Sequence, residues 1–505
     1  MIVLNKLLKN KDFILLVENK TPLELHKDLI ERVEKNHDFL KEFADDKVIY
    51  GVNTGFGPMA QYRVSDEKRI KLQYNLIRSH ASGAGQPIPV NHVRAAMIAR
   101  LNSLSQSKSG VHPSVINTLT DLINKEVYPV VFEHGGVGAS GDLVQLAHVA
   151  LVLIGEGEVI YKGERQATKE VFDKLNISPI EVTLREGLAL MNGTSVMTGI
   201  GLLNHHNATK LLKWSMNCSA MINELVEAYD DHFSVPLNGA KMHDGQNKVA
   251  ENMRELLKDS QLTKKREQHL YTGENKEEIF KEKVQEYYSI RCIPQILGPV
   301  YETIKNVGNV LESELNSAND NPIINSDLGQ VFHGGNFHGD YVSLEMDKLK
   351  LVVTRLTMLA DRQLNYLLNA KINEILPPFV NRGVLGLNYG VQGAQFTATS
   401  TTAENQALST SMYVHSIPCN NDNQDIVSMG TNAAQMASKT INNAFEVMAI
   451  ELIAIYQAIK HLKIEDKLSS NSRNIMEDLK EFMPEIIEDN PIYPIIENTV
   501  NYLKS

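Results

Sequence analysis

Residues 349–367 read LKLVVTRLTMLADRQLNYL. Apolar side chains recur at Val352, Val353, Leu356, Leu359, Ala360, Leu364 and Leu367, the i, i+3, i+4 spacing of one helix face. Two further stretches repeat the pattern. One carries Ile296, Val300, Ile304, Val307, Leu311 and Leu315; the other carries Ala444, Val447, Met448, Leu452, Ile455 and Ile459. Such stripes pack helices against one another, and their length also suits contacts between subunits. Strand signals are few. Glu158–Arg165 reads as a small hairpin turning at Lys162-Gly163. The charge-rich stretch from Glu251 to Glu286 has few apolar anchors and is expected to form exposed helix and loop. The expected fold is mainly α: an N-terminal domain of shorter elements over 1–205 and a long-helix bundle over 206–505.

A chain of 505 residues exceeds what one small core needs. Its 43% hydrophobic and 22% charged content is ordinary for a soluble globular enzyme, and the net charge of -11 argues against nucleic acid or anionic membrane as main partner. Cys218, Cys292 and Cys419 are scattered, with no disulfide framework and no CxxC pair, so a reducing cytoplasm is expected. The first sixteen residues, MIVLNKLLKNKDFILL, interrupt their apolar run with Lys6, Lys9, Asn10, Lys11 and Asp12 and make a poor signal peptide. No stretch reaches the ~18 uninterrupted apolar residues of a membrane span. Even 444–459 carries Glu446 and Glu451.

The segment Gly135-Gly-Val-Gly-Ala-Ser-Gly-Asp142 precedes a helical run from Leu143 to Ile154. As a phosphate cradle it lacks the P-loop lysine and the GxGxxG spacing, and Asp142 puts negative charge where phosphate would sit. As a nucleophile elbow it fails G-x-S-x-G, because Asp142 stands where the last glycine belongs. A plain helix-capping turn of small residues is the third reading. The fourth is chemical. Ala-Ser-Gly flanked by glycines is what backbone cyclisation needs, since the amide nitrogen of Gly141 must reach the carbonyl of Ala139 past ordinary Cβ and φ limits. Loss of water, including the Ser140 hydroxyl, would then leave an electrophilic methylene conjugated to the ring.

Residues 135–143, GGVGASGDL, resemble the signature of the histidine/phenylalanine/tyrosine ammonia-lyase family, whose methylidene-imidazolone (MIO) prosthetic group forms in this way. Further blocks resemble the family in order: Tyr50–Gly57, Met191–Thr194, Tyr288–Gln295, Asp320–Pro322, Gly334–His338 and Asn423–Met429. The resemblance covers residues 45 to 460 and is strongest to bacterial tyrosine ammonia-lyases. It implies an ammonia-lyase/fumarase-like helical fold, an MIO built from Ala139, Ser140 and Gly141, and no metal, pyridoxal phosphate or nucleotide cofactor. It also implies a homotetramer with shared active sites.

By the same resemblance Tyr50 is the base that removes the β-proton, and Arg291 holds the substrate carboxylate, a task suited to a planar guanidinium fork. Gln285 and Tyr288 bracket electrophile and substrate. Gly57, Asn192, Phe337, Asn420 and Asn423 match further positions around the site, with Asn192 aimed at the ring oxygen, and Leu143 lines the ring pocket. His333, His338 and Asp340 fit no familiar zinc spacing, and the sequons Asn192-Gly-Thr194 and Asn207-Ala-Thr209 are set aside for want of a secretion signal. Ring choice turns on two places. Ser79-His80 resembles the pair of histidine-specific relatives; Gln424 stands where those relatives carry glutamate. A neutral amide cannot give a charged imidazole the charge-assisted bond of a carboxylate. With His80 supplying a polar group, a phenol is the best-matched ring, so tyrosine is expected, with histidine, phenylalanine and an aminomutase reaction as alternatives.

Overall fold

The structure, a computed structural model, describes residues 1–505 other than 6, 46, 273–277 and 281–282, and for Asp66 the backbone alone. Lys6, named above in the N-terminal run, therefore lies outside the described residues. The fold is mainly helical. All three apolar stripes lie on long helices: Ile293–Leu315, Asp340–Leu368 and Gly430–Leu462. A fourth, Ser195–Leu225, begins ten residues before the boundary expected from sequence. From Ala444 to Ile459 nearly every residue is buried, not one face alone. Glu451 is included, and burial pushes its carboxyl well above the usual range.

Four small sheets are present among the described residues. Ile2–Leu4 pairs in parallel with Leu23–Leu25. The hairpin expected at 158–165 forms from Glu158–Tyr161 and Glu164–Ala167. Lys162 and Gly163 both take positive φ at its turn (52° and 83°), the combination a tight two-residue hairpin needs. In the charge-rich stretch, Asp244–Leu256 and Arg266–His269 are helical, and residues 273–277 and 281–282 lie outside the described residues. Leu262 and Glu286 are buried there, contrary to a wholly exposed segment.

Two compact units emerge, and they are not consecutive stretches. The first comprises residues 1–206, 307–347 and 411–438; the second comprises 207–306, 348–410 and 439–505. The chain crosses between the units five times, first at 206/207. At 206/207, 306/307, 347/348 and 438/439 the crossing falls within one of the four long helices, so a single helix supplies residues to both units.

Within the first unit, the Asp66–His80, Leu143–Leu153 and Glu186–Met191 helices pack together and lead into the glycine-rich turn and residues 192–194. Asp142 anchors the arrangement. Its Oδ2 accepts from Val196 N (2.8 Å) and Met197 N (3.0 Å), the exposed donors at the start of the Ser195–Leu225 helix, where negative charge is favoured. Thr431 Oγ1 donates to Oδ1.

Candidate active site

The glycine-rich turn is held at several points. Asp142 N donates to Gly193 O (2.8 Å) and Met429 N to Val137 O (2.9 Å). Gly138 O accepts from Gly339 N and from Ser428 Oγ, each at 3.0 Å. Glycine is required at 141. Its φ is +69°, and a Cβ there would lie 2.0 Å from Gly193 O, a backbone atom that cannot yield. Ala139 is buried against Val427 and Met429, with Cys419 packed beside them. Ser140 is gripped by two amides. Asn192 Nδ2 donates to its carbonyl oxygen at 3.3 Å, and Gln424 Nε2 to its hydroxyl at 3.0 Å.

This turn opens on a cavity of about 890 Å³, within the size range of small-molecule sites. Of the residues singled out by sequence, Tyr50, Gly57, Ser79, His80, Ser140, Leu143, Asn192, Phe337, Asn420, Asn423 and Gln424 line it. Ala139 and Gly141 flank Ser140 without lining the cavity. Gln285, Tyr288 and Arg291 are not among the lining residues; they belong to the second unit. There Arg291 lies over the Tyr288 ring (4.8 Å) and donates to Gln285 Oε1, so these three do gather together.

Tyr50 accepts from Gly57 N (3.1 Å), and its ring meets Phe56 edge-on, which holds the phenol oxygen at the cavity wall. The Nδ1 of His80 is 2.9 Å from Leu76 O. Ser79 Oγ lies 3.0 Å from the same nitrogen; in the tautomer whose Nδ1–H donates to the Leu76 carbonyl, Nε2 is an acceptor. The segment after Cys419 is tightly folded. Asn420, Asn421 and Asp422 all have left-handed φ (58°, 52° and 56°), and Cys419 and Gln424 exchange backbone hydrogen bonds across them. The Cys419 thiol donates to Gln424 Oε1 (3.4 Å), leaving the amide nitrogen for Ser140.

The sequence reading missed several of these residues. Phe56, Leu72, Asn75, Leu188, Asn321 and Asn421 line the cavity; Phe56 and Asn321 fall within the Tyr50–Gly57 and Asp320–Pro322 blocks, and no local pattern marks the other four. His333, weighed for metal, lines it too, while His338 faces Asp340 (3.4 Å) and Ile426 O (3.2 Å). Asp142, an obstacle to phosphate in the sequence, has a structural task here. It is a wholly buried acid raised to about 6 by burial, with Thr431, Met197, Val196 and Arg100 opposing. Its role could have been suspected from an acid beside a glycine turn, but its donors lie 54 and 289 residues away.

The donor set fits a backbone-derived group at 139–141. Bonding between Gly141 N and the Ala139 carbonyl carbon would leave Ser140's carbonyl as the ring oxygen, the atom Asn192 addresses. Asn192 Oδ1 is buried without a hydrogen-bond partner, as expected where a further group is to be received.

A small-molecule cavity walled by a phenol, an imidazole and side-chain amides around a glycine-hinged serine is the setting of an enzyme acting on a small polar substrate. The chain belongs to the aromatic amino acid lyase family, whose sequence model matches residues 8–481. It is 37% identical over 492 residues to tyrosine 2,3-aminomutase of Myxococcus sp. strain Mx-B0, covering 96% of this chain and 93% of the relative. To histidine ammonia-lyase of Bacillus subtilis strain 168 it is 38% identical over 476 residues, covering 94% and 91%. Among solved structures, phenylalanine aminomutase of Pantoea agglomerans superposes with a TM-score of 0.95 at 34% identity, covering 99% of this chain and 98% of that one. No helix among the described residues is long and apolar enough to cross a membrane.

Proposed function

We propose that the protein deaminates L-tyrosine to trans-4-coumarate and ammonia in the cytoplasm, using an MIO formed from Ala139, Ser140 and Gly141. That group supplies an electrophile that converts the substrate amine into a leaving group. The chain's own residues do the rest. Tyr50, its oxygen held by Gly57 N, takes the β-proton. Arg291 binds the carboxylate with its planar fork. Asn192 keeps an N–H on the Ser140 carbonyl oxygen, where a donor stabilises developing negative charge.

The observation that carries tyrosine is the pairing of a neutral Gln424 with a His80 whose Nδ1 is already engaged. The remaining Nε2 accepts from a phenol O–H and finds no partner on phenylalanine, a mismatch worth ~10⁴ or more in sites built to bind a hydroxyl. Histidine is the second reading, favoured by the Ser79-His80 pair. An aminomutase is the third, favoured by the name of the Myxococcus relative. Incubation with L-tyrosine, L-histidine and L-phenylalanine, followed by product analysis, separates them. Free 4-coumarate and ammonia support the proposal; a β-amino acid as main product identifies a mutase, and preferential urocanate formation identifies a histidine lyase.

A further inference from the structure

Gln285, Tyr288 and Arg291 stand on one short stretch of the second unit. Gln285 and Tyr288 are exposed, Tyr288 by 70%. The regular element there is the four-residue helix Tyr288–Arg291, parted by Cys292 alone from the Ile293–Leu315 helix; Ile290 is buried and Gln363 Nε2 donates to Ser289 O at 2.7 Å, which hold this end of the stretch. The other end, Val284 and Gln285, precedes the helix and must be fixed separately.

Arg266 has the contacts to do so. Its Nε donates to Asp231 Oδ2 at 2.6 Å and its Nη1 to Val284 O at 2.7 Å. Its Nη2 faces His232 Nε2 at 3.4 Å, and the guanidinium lies 4.3 Å over the Tyr229 ring. Val284 immediately precedes Gln285, so the bond to its carbonyl pins the start of the stretch. His232 is 4% exposed. Burial lowers its imidazole to about 4, with Asp231 opposing and the charges of Arg266 and Arg291 adding. The neutral ring can therefore accept from Arg266, and Arg291 is near enough for its charge to be felt there.

We propose that Arg266 is a positioning residue for the carboxylate-holding stretch Val284–Arg291, its guanidinium tying the Val284 carbonyl to Asp231, His232 and Tyr229. The inference rests on the reading of Arg291 as the carboxylate holder. Lysine would not replace Arg266, because a single ammonium cannot reproduce three planar donor directions and a stacked face.

The test compares trans-4-coumarate with its neutral amide by direct binding to the assembled protein, calorimetrically, so that variants without L-tyrosine turnover can be read as well. The two share a ring and differ in the charge Arg291 reads. The wild type should prefer the acid, and Arg291→Gln should remove that preference. Arg266→Gln should reduce the preference about ten-fold, with KM for tyrosine rising more than kcat falls, as lost positioning of one fork implies. Asp231→Asn changes a half-exposed side chain, spares the fold and should shift the preference the same way by less. It decides the matter if Arg266→Gln does not fold. A merely structural arginine would alter melting temperature or active fraction and leave the ratio untouched. If Arg291→Gln keeps the wild-type ratio, the carboxylate reading fails. If Arg291→Gln removes the preference while Arg266→Gln and Asp231→Asn retain it, the role given to Arg266 is overturned.

Discussion

Gln424 holds its oxygen on Cys419, and its nitrogen donates to the Ser140 hydroxyl until dehydration removes that group. A glutamate there would present an acceptor, and a charged one, to the same cavity. His80, tied through Nδ1, adds its second ring nitrogen to the cavity wall as an acceptor for a ring substituent. Replacing His80 with phenylalanine deletes that acceptor and adds apolar surface. We expect His80→Phe to lower tyrosine kcat/KM by about 10²-fold or more and to raise phenylalanine turnover, because a site hydroxyl partner dominates such discrimination. Unchanged tyrosine kinetics with no gain on phenylalanine would remove His80 from ring selection. The wall was legible in sequence where chemistry is local: Tyr50 to Gly57 forms one short block, and 139–141 another. The thiol of Cys419 was legible only as a free cysteine, because its bond to Gln424 exists through a left-handed turn that propensity does not foretell. That turn places three non-glycine residues in a conformation costing ~1–2 kcal/mol each, softened for Asn and Asp by their short polar side chains.

At the scale of elements, the glycine-rich turn is built by helix ends. Asp142 caps the Ser195–Leu225 helix from outside and takes a third donor from Thr431 at the start of Gly430–Leu462. Asn at this position offers one acceptor oxygen in place of two, leaving a buried donor without a partner. Asp142→Asn should therefore destabilise the protein by about 1–3 kcal/mol at neutral pH, measured by denaturant unfolding. The pH profile carries a second signature. The folded carboxyl titrates near 6 against an ordinary 3.8, so its proton favours the fold, and this contribution fades as pH rises through that window. The variant should show a flatter stability profile between these values; an identical slope would mean that Asp142 is not the titrating group. The long helices themselves were readable because a 3.6-residue period needs no partner to be seen. The interleaving of the two units was not. It depends on which residues meet after the helices form, and a single helix that serves both units has no boundary signal at the crossing.

For the whole molecule, the resemblance to the family implies a homotetramer with sites completed by more than one chain, and three of the residues assigned to substrate do not line the cavity of the first unit. Light scattering should give four times the 56.5 kDa of one chain. Mixing inactive Tyr50→Phe and Arg291→Gln subunits by co-expression should restore roughly a quarter or less of wild-type turnover, as statistical assembly of complementary sites allows. No recovery, with mixed tetramers demonstrated by mass, would mean that each chain builds its site alone. All of this chemistry depends on closure and dehydration of Ala139-Ser140-Gly141, and the intact mass of the purified active protein reads that event directly. The active chain should be lighter than its sequence by two water molecules, the loss confined to the peptide containing residues 139–141, and a folded Ser140→Ala variant should have full mass and no deamination. A wild-type chain of full, unmodified mass that nonetheless releases ammonia from tyrosine would contradict this closure.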